Sequence, residues 1–342
     1  MILYQSSRRP FAQVVYRRTR STSIAVRLLH RDTNNSDHKI HTLLLCRHGN
    51  SIWNGGEVGT FERFTGWTNI PLSDRGRLEA AIAAKHIVSS KYRIGASFTS
   101  ALHRAQETAD ICLSEIIDHY GSANDYISSI RQHTDFRLNE RHYGALQGLE
   151  KEKAGKGLCG YDSACVTSWR RHWNGIPPFL DETDARRLQE TETWSRVCGG
   201  AENVPRGESL EMVAQNRISP FLRGVLFPTM REIQKDTREH DAVAGLVIAH
   251  KNSLRALIGI MCRTEKDNEA MEVLESMKIP TGLPLVLQFY FDEKGQCQVV
   301  CDNELSEDQI PHRKIPLCSL AVLSDHVNQT DHMIVRAQGS QM

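Results

Sequence analysis

The stretch AVAGLVIAHKNSLRALIGIM, residues 242–261, constrains the fold more than any other in the chain. It is apolar as far as Ala249 and polar over His250, Lys251 and Asn252. It then becomes helical in spacing, with Leu254, Leu257, Ile258 and Met261 on one face. An apolar run of strand length reads as a strand buried on both sides, and a 3-4 repeat straight after it reads as a helix packing back onto the sheet. Two more junctions share this grammar. LLLCRHG puts a strand over residues 43–46, and PLSDRGRLEAAIAAKHIV then supplies Ser73 as an N-cap with Leu78, Ala81 and Ile82 at helical spacing. ASFTS, residues 96–100, leads into ALHRAQETADICLSEII, where Leu102, Ala105, Ala109, Cys112 and Ile116 repeat on one face. Strands alternating with helices predict an α/β fold of three layers, a mainly parallel sheet with helices on both faces. Ligands of such sheets bind beyond the carboxyl ends of the strands, where His48 and His250 both stand.

With 342 residues, 40% of them hydrophobic, the chain can bury a sizeable core as one large domain or two ordinary ones. Its 42 Lys and Arg against 41 Asp and Glu leave a net charge of +1, so no global basic field points to nucleic acid as a partner. No apolar stretch reaches the roughly 20 residues of a membrane span. Nine scattered cysteines without a C-x2-C pair point to thiols in a reduced compartment, and neither a disulfide scaffold nor a metal site is expected. Residues 1–37 form a basic arm: seven arginines precede the first acidic residue, Asp32. That is the composition of a mitochondrial transit peptide, and it predicts a mitochondrial location, with a cytoplasmic one as the alternative. Residues 38–321 read as one folded domain and 322–342 as a flexible tail; inside the domain, 150–165 and 180–206 are polar, contain glycine and read as loops.

Imidazole has an ordinary pKa of about 6.5, so near neutrality His48 is available as a nucleophile or proton carrier. If it attacks phosphorus, forked cations must receive the equatorial oxygens, which arginine does better than lysine. Arg47 is adjacent. Arg104 lies about one turn into the helix after the second strand, where the helix N-terminus also favours anions. A leaving oxygen needs a proton, and Glu140 in LNERHYGALQG is the candidate acid. Each residue also has a structural reading: a satisfied core histidine, a solvated arginine, a Glu140–Arg141 surface pair, and an exposed Arg170–Arg171 between inward-packed Trp169 and Trp173. Their combination in this order outweighs those separate readings.

From about 41 to 290 the chain resembles the cofactor-dependent phosphoglycerate mutases of the histidine phosphatase superfamily. The resemblance is carried, in order, by RHGNSIWN (47–54), FTGWTNIPLSDRG (64–76), TSALHRAQET (99–108), RLNERHYGALQGLEK (137–151), WRR (169–171), GESL (207–210), AHKNSLRAL (249–257) and IPTGLPLVLQF (279–289). It implies that His48 is the phosphorylated nucleophile, that Arg47, Arg104 and His250 grip the transferring phosphoryl group, and that Glu140 is the general acid and base. Asn54, Thr65, Gly66, Tyr143, Lys151, Arg170, Arg171 and Asn252 match positions that bind phosphoglycerate or its second phosphate. The implied reaction is the glycolytic interconversion of 3-phosphoglycerate and 2-phosphoglycerate, with 2,3-bisphosphoglycerate as the priming phosphate donor, without a metal. A homodimer is implied as well.

Three departures from that pattern bear on activity. Lys251 stands where the family usually has glycine, and a side chain there is strained if φ is positive; it could weaken transfer, point outward or add a cation. The segment between Asn54 and Phe64 is longer than usual and carries Glu57 and Glu62, which could screen an anionic ligand. The chain after Phe289 lacks a clear match to the family's site-closing segment, and loss of a lid favours water as acceptor. Two alternatives therefore stand beside the mutase: a histidine phosphatase acting on a phosphomonoester or phosphoprotein, and a noncatalytic phosphate-binding scaffold weakened by Lys251.

Overall fold

Alternation along the first strand builds both halves of the core. In β1 (His41–Arg47), Leu43 and Leu45 face one apolar layer while Leu44 and Cys46 face the other, and all four are fully buried. A strand covered on both faces requires this period of two. The computed structural model describes residues 39–55, 60–90, 92–120, 130–235, 243–264 and 268–300, with the backbone of 321–322. β2 (Arg93–Thr99), β3 (Arg131–Thr134) and β4 (Val243–Ala249) run parallel to β1 in the order β3-β2-β4-β1. β5 (Leu285–Phe291) lies antiparallel on the far side of β1, and both β6 (Cys297–Val299) and β7 (Ala321–Val322) pair antiparallel with β5. The predicted three-layer α/β fold is present, with an antiparallel margin that the strand–helix alternation did not contain.

Helix α1 (Asp74–Ser89) starts at Ser73, whose Oγ accepts from the Gly76 amide at 3.2 Å as the N-cap signal predicted. Its buried face differs from the expected one: Glu79, Ala80, Ala83, Ala84 and Ile87 point inward, while Leu78 is 59% exposed. Small alanines let α1 lie close to α2 (His103–Tyr120), whose Ala105, Ala109, Cys112 and Ile116 are buried as predicted, and both helices cover the Leu44–Cys46 layer. Between β3 and β4 come α3 (Lys151–Gly155) and α5 (Ala185–Cys198), where loops were expected, and α4 (Ser163–Arg171), which begins at the end of the first of those stretches. The buried positions of α5 are Arg187, Glu190, Trp194 and Cys198. Two of the four are charged, so apolar periodicity could not reveal the helix; its caps, Asp184 and the left-handed Gly199, are the readable signal.

A helical run over 210–235, here α6, is π-helical at Val213–Ile218 and again at Leu222–Leu226. With α7 (Lys251–Met261) and α8 (Asn268–Ser276) it covers the other face of the sheet, where Leu254, Leu257, Ile258 and Met261 are buried as predicted. Among the described residues no helix is long and apolar enough to cross a membrane. Six described cysteines are free thiols, whereas Cys262 is disulfide-bonded, against the expectation of thiols alone; sequence spacing is blind to a pairing made by tertiary proximity. Val322, assigned to the tail, pairs with Leu285 in the sheet. The basic arm 1–37 and the tail from 323 onward lie outside the described residues.

Candidate active site

The turn after β1 is fixed by close backbone packing. The His48 amide donates to the Ala249 carbonyl at 2.9 Å, extending the β1–β4 ladder by one residue and bringing both strand-end histidines together. Their ring centroids are 4.8 Å apart. A Cβ on Gly49 would fall 2.1 Å from the Gly76 carbonyl oxygen, so only glycine lets the turn rest against the first turn of α1. Gly49 donates to Thr108 Oγ1 at 3.1 Å and Asn50 to Glu79 Oε2 at 2.8 Å, which ties the turn to both helices of that layer.

His48 Nδ1 lies 2.7 Å from the carbonyl of Gly49. A carbonyl only accepts, so Nδ1 carries the proton and Nε2 keeps its lone pair. Burial holds the pKa of His48 well below its ordinary value, Arg104 and Arg47 push it further down, and the Gly49 carbonyl opposes them. His250 is fully buried, and its pKa is likewise well below the ordinary value, through burial first and then Arg104, His48 and Arg47. Its Nε2 meets Ser100 Oγ at 2.7 Å, and its buried Nδ1 has no partner among the described residues. Ser100 was not singled out from sequence; its place just past the end of β2 was the available sign.

Arg104, 1% exposed, donates to the carbonyls of Thr68 (3.0 Å) and Gly66 (2.9 Å). Burial lowers its pKa to about 10, against the pull of Glu140, so it remains cationic at neutrality. Arg47 donates one terminal nitrogen to Ile279 O at 3.3 Å, and its buried Nε has no partner among the described residues. Glu140 Oε1 accepts from the amides of Arg141 (2.8 Å) and Asn252 (3.3 Å), which leaves Oε2 for proton exchange. Arg141 is no surface partner: it is 1% exposed, donates to Trp169 O at 2.9 Å, and lies 4.7 Å over the Tyr143 ring.

Behind Glu140, Arg217 on the first π-helical stretch of α6 forks onto Glu208 with two bonds of 2.8 Å. It also donates to the carbonyls of Asn139 (2.8 Å) and Glu140 (3.2 Å). Glu208 accepts in turn from the His142 amide at 2.9 Å. GESL marked this region, but Arg217 gave no signal of its own. A π-helical insertion often re-aims one side chain at a functional site, and Arg217 fits that description.

The second group of predicted residues gathers around Phe64. Lys151 and Arg170 stand 6.0 and 5.4 Å over its ring, and the Tyr143 ring packs against it at 5.1 Å. Asn252 Nδ2 donates to the Tyr143 hydroxyl at 2.8 Å. Gly66 has φ +51°, and a Cβ there would meet Gln147 Oε1 at 1.9 Å. Asn54 Oδ1 accepts from the Ser51 amide and hydroxyl at 2.9 and 2.7 Å. Glu62, from the long segment before Phe64, pairs with Lys151. Burial raises the Glu62 carboxyl, but Lys151, Arg170 and Arg47 hold it below its ordinary value overall. Glu57 lies outside the described residues.

One cavity of about 640 Å³ collects these groups. Twelve of the thirteen predicted residues line it, Thr65 among them, and His250 stands behind His48. Eight Arg or Lys and four Glu make the lining strongly cationic in a nearly neutral chain. Arg255 and Lys278 are lining residues that sequence reasoning missed. Lys251 also lines the cavity; it is the first residue of α7 and unstrained, because Arg263 is the only described non-glycine residue with positive φ.

Over residues 43–178 the chain matches the family model of the histidine phosphatase superfamily (branch 1). It is 34% identical over 250 residues to the 2,3-bisphosphoglycerate-dependent phosphoglycerate mutase of Baumannia cicadellinicola subsp. Homalodisca coagulata, covering 73% of this chain and 91% of that one. Against the protein of the same name from Neisseria gonorrhoeae (strain NCCP11945), identity is 34% over 244 residues, with 71% and 92% covered. Among solved structures, a mycobacterial glucosyl-3-phosphoglycerate phosphatase superposes with a TM-score of 0.50 at 20% identity, covering 76% of this chain and 97% of that one, a likeness of fold. Given that identity over most of the length of the two mutases, the chain belongs to the 2,3-bisphosphoglycerate-dependent phosphoglycerate mutases, a family of the histidine phosphatase superfamily.

Proposed function

We propose that this chain interconverts 3-phosphoglycerate and 2-phosphoglycerate through a phosphohistidine on His48. The observation that carries the reading is the cavity itself: a histidine with Nε2 free, two arginines beside it, and a second set of cations gathered over Phe64. A ligand with an anion at each end needs both sets, whereas hydrolysis of a simple phosphomonoester needs only the first.

In the proposed cycle the phosphoryl group on His48 Nε2 passes to the free hydroxyl of bound phosphoglycerate. The N–P bond breaks as the new O–P bond forms, and Glu140 takes the hydroxyl proton. His48 then attacks the other phosphoryl group, and Glu140 returns the proton to the oxygen that leaves. Charge on the transferring oxygens falls to Arg47, Arg104 and the unpartnered Nδ1 of His250. Asn54, Thr65, Gly66, Tyr143, Asn252, Lys151, Arg170 and Arg171 would hold the remainder of the ligand. Arg47 Nε in this cationic lining and His250 Nδ1 behind it, both without a partner among the described residues, fit 2,3-bisphosphoglycerate, which would supply the phosphoryl group that first loads His48.

The test is a coupled assay of 3-phosphoglycerate turnover with and without 2,3-bisphosphoglycerate, alongside release of free phosphate. Isomerisation that depends on the bisphosphate and is lost in His48→Ala supports the mutase. Phosphate release without isomerisation supports the phosphatase, and neither signal supports the binding scaffold. A homodimer and a mitochondrial location complete the proposal, resting on the family resemblance and on the arm, whose first 31 residues hold seven arginines and no acid. Sedimentation of the purified chain checks the first.

A further inference from the structure

We infer that Lys251 is an additional anion-binding residue of this cavity, holding an anionic group of a bound phosphoglycerate; this rests on the reading of the cavity given above. Lys251 sits between two residues that touch the reacting groups. His250 packs against His48, and the Asn252 amide donates to Glu140. The side chain between them lines the cavity, is half-buried, and has no hydrogen bond or ion pair among the described residues.

The other cations of the lining are either held by the protein or open to water, Arg47 by the Ile279 carbonyl among the former and Arg170 among the latter. Lys151 is engaged by Glu62, Arg255 donates to the Met277 carbonyl, Arg104 donates to two carbonyls beside the transferring group, and Arg171 and Lys278 are exposed to water. A half-buried ammonium without a partner is costly unless an anion arrives to meet it. With Lys151 partly neutralised, Lys251 is a half-buried cation of this wall left without a protein partner among the described residues.

The charges around it set a pH signature. Arg255 on its own helix, Arg47 at the end of β1 and Lys151 on α3 disfavour its charge, Glu140 favours it, and Glu272 and Lys278 line the cavity from the α8 side. Burial first, and then those cations, bring Lys251 down to about 8, so it is an ammonium at pH 7 and loses its charge as pH rises to 9.

The experiment is calorimetric titration of the full, unphosphorylated chain with 3-phosphoglycerate at pH 7 and pH 9, for wild type, Lys251→Met, Lys251→Arg and Lys153→Met. Lys153 is an exposed lysine paired with Glu150, and its loss controls for removal of one positive charge. Lys251→Met is expected to weaken binding about tenfold at pH 7, as loss of a charged hydrogen bond does. Lys251→Arg and Lys153→Met are expected to stay within about twofold of wild type. Wild type is expected to lose most of that tenfold on going to pH 9, while Lys251→Arg keeps it. Binding by Lys251→Met within about twofold of wild type would overturn the inference and leave the phosphoglycerate reading standing. Equal loss in the Met and Arg variants would mark a packing effect and overturn it too. A wild type that does not bind 3-phosphoglycerate would overturn both readings together.

Discussion

A histidine that accepts a phosphoryl group must keep one ring nitrogen unprotonated amid the cations that hold the phosphate. In His48 burial, Arg104 and Arg47 all act in that direction, and the Gly49 carbonyl decides which nitrogen is free. An ordinary imidazole would lose about three-quarters of its free base at pH 6. Nitrogen-15 NMR of the folded chain is therefore expected to show His48 neutral at pH 6; a titration midpoint near 6.5 would contradict this. The sign carries into stability. His41, His48 and His250 all have lowered values, His41 to about 4, so below about 6.5 the unfolded chain takes up protons that the folded chain does not. Their contribution is complete above that pH and is lost as pH falls, so the thermal midpoint should drop between pH 7 and pH 5. Glu62 makes the opposite kind of prediction. Freeing Lys151 by Glu62→Gln should lower KM for 3-phosphoglycerate about twofold to fivefold, the range of a partly exposed pair, and a KM that rises would refute the screening role.

At the scale of elements, the legible parts were those whose core faces are apolar. The strand–helix junctions at β1, β2 and β4 announced themselves because their strands are buried on both sides and their helices repeat at 3-4 spacing. β3 did not, since RQHT at the sheet edge has no apolar run, and α5 did not, since Arg187 and Glu190 are half of its buried face. The site was legible where a titratable side chain stood at a strand end or in the first turn of the helix after it, as at His48, His250 and Arg104. It was illegible where a residue acts from behind, as Ser100 and Arg217 do. Arg217 supplies the element-scale prediction. It is the cationic half of a buried pair and clamps the segment carrying Glu140, so Arg217→Met should cost about 3 kcal/mol or more and leave Glu208 unpaired. Denaturant unfolding measures this, and a loss below about 1 kcal/mol would mean that the clamp is dispensable.

For the whole molecule, a chain of net charge +1 concentrates its cations in one cavity by drawing them from separate segments. Arg47 comes from the end of β1, Arg104 from α2, Lys151 from α3, Arg170 and Arg171 from α4, and Lys251 and Arg255 from α7. No single segment supplies them all, and the basic arm 1–37 belongs to a different task in the present reading. Fused to a fluorescent reporter, residues 1–37 should direct it to mitochondria, while the chain without them keeps its turnover; a reporter left in the cytoplasm would refute the targeting proposal. The central claim is that His48 carries the phosphoryl group. The most direct measurement is to expose the full chain to 2,3-bisphosphoglycerate labelled with phosphorus-32 and map the acid-labile label. The account predicts label on His48, removed by 3-phosphoglycerate and absent from His48→Ala. Label on another residue, or none on a folded wild type, would contradict it.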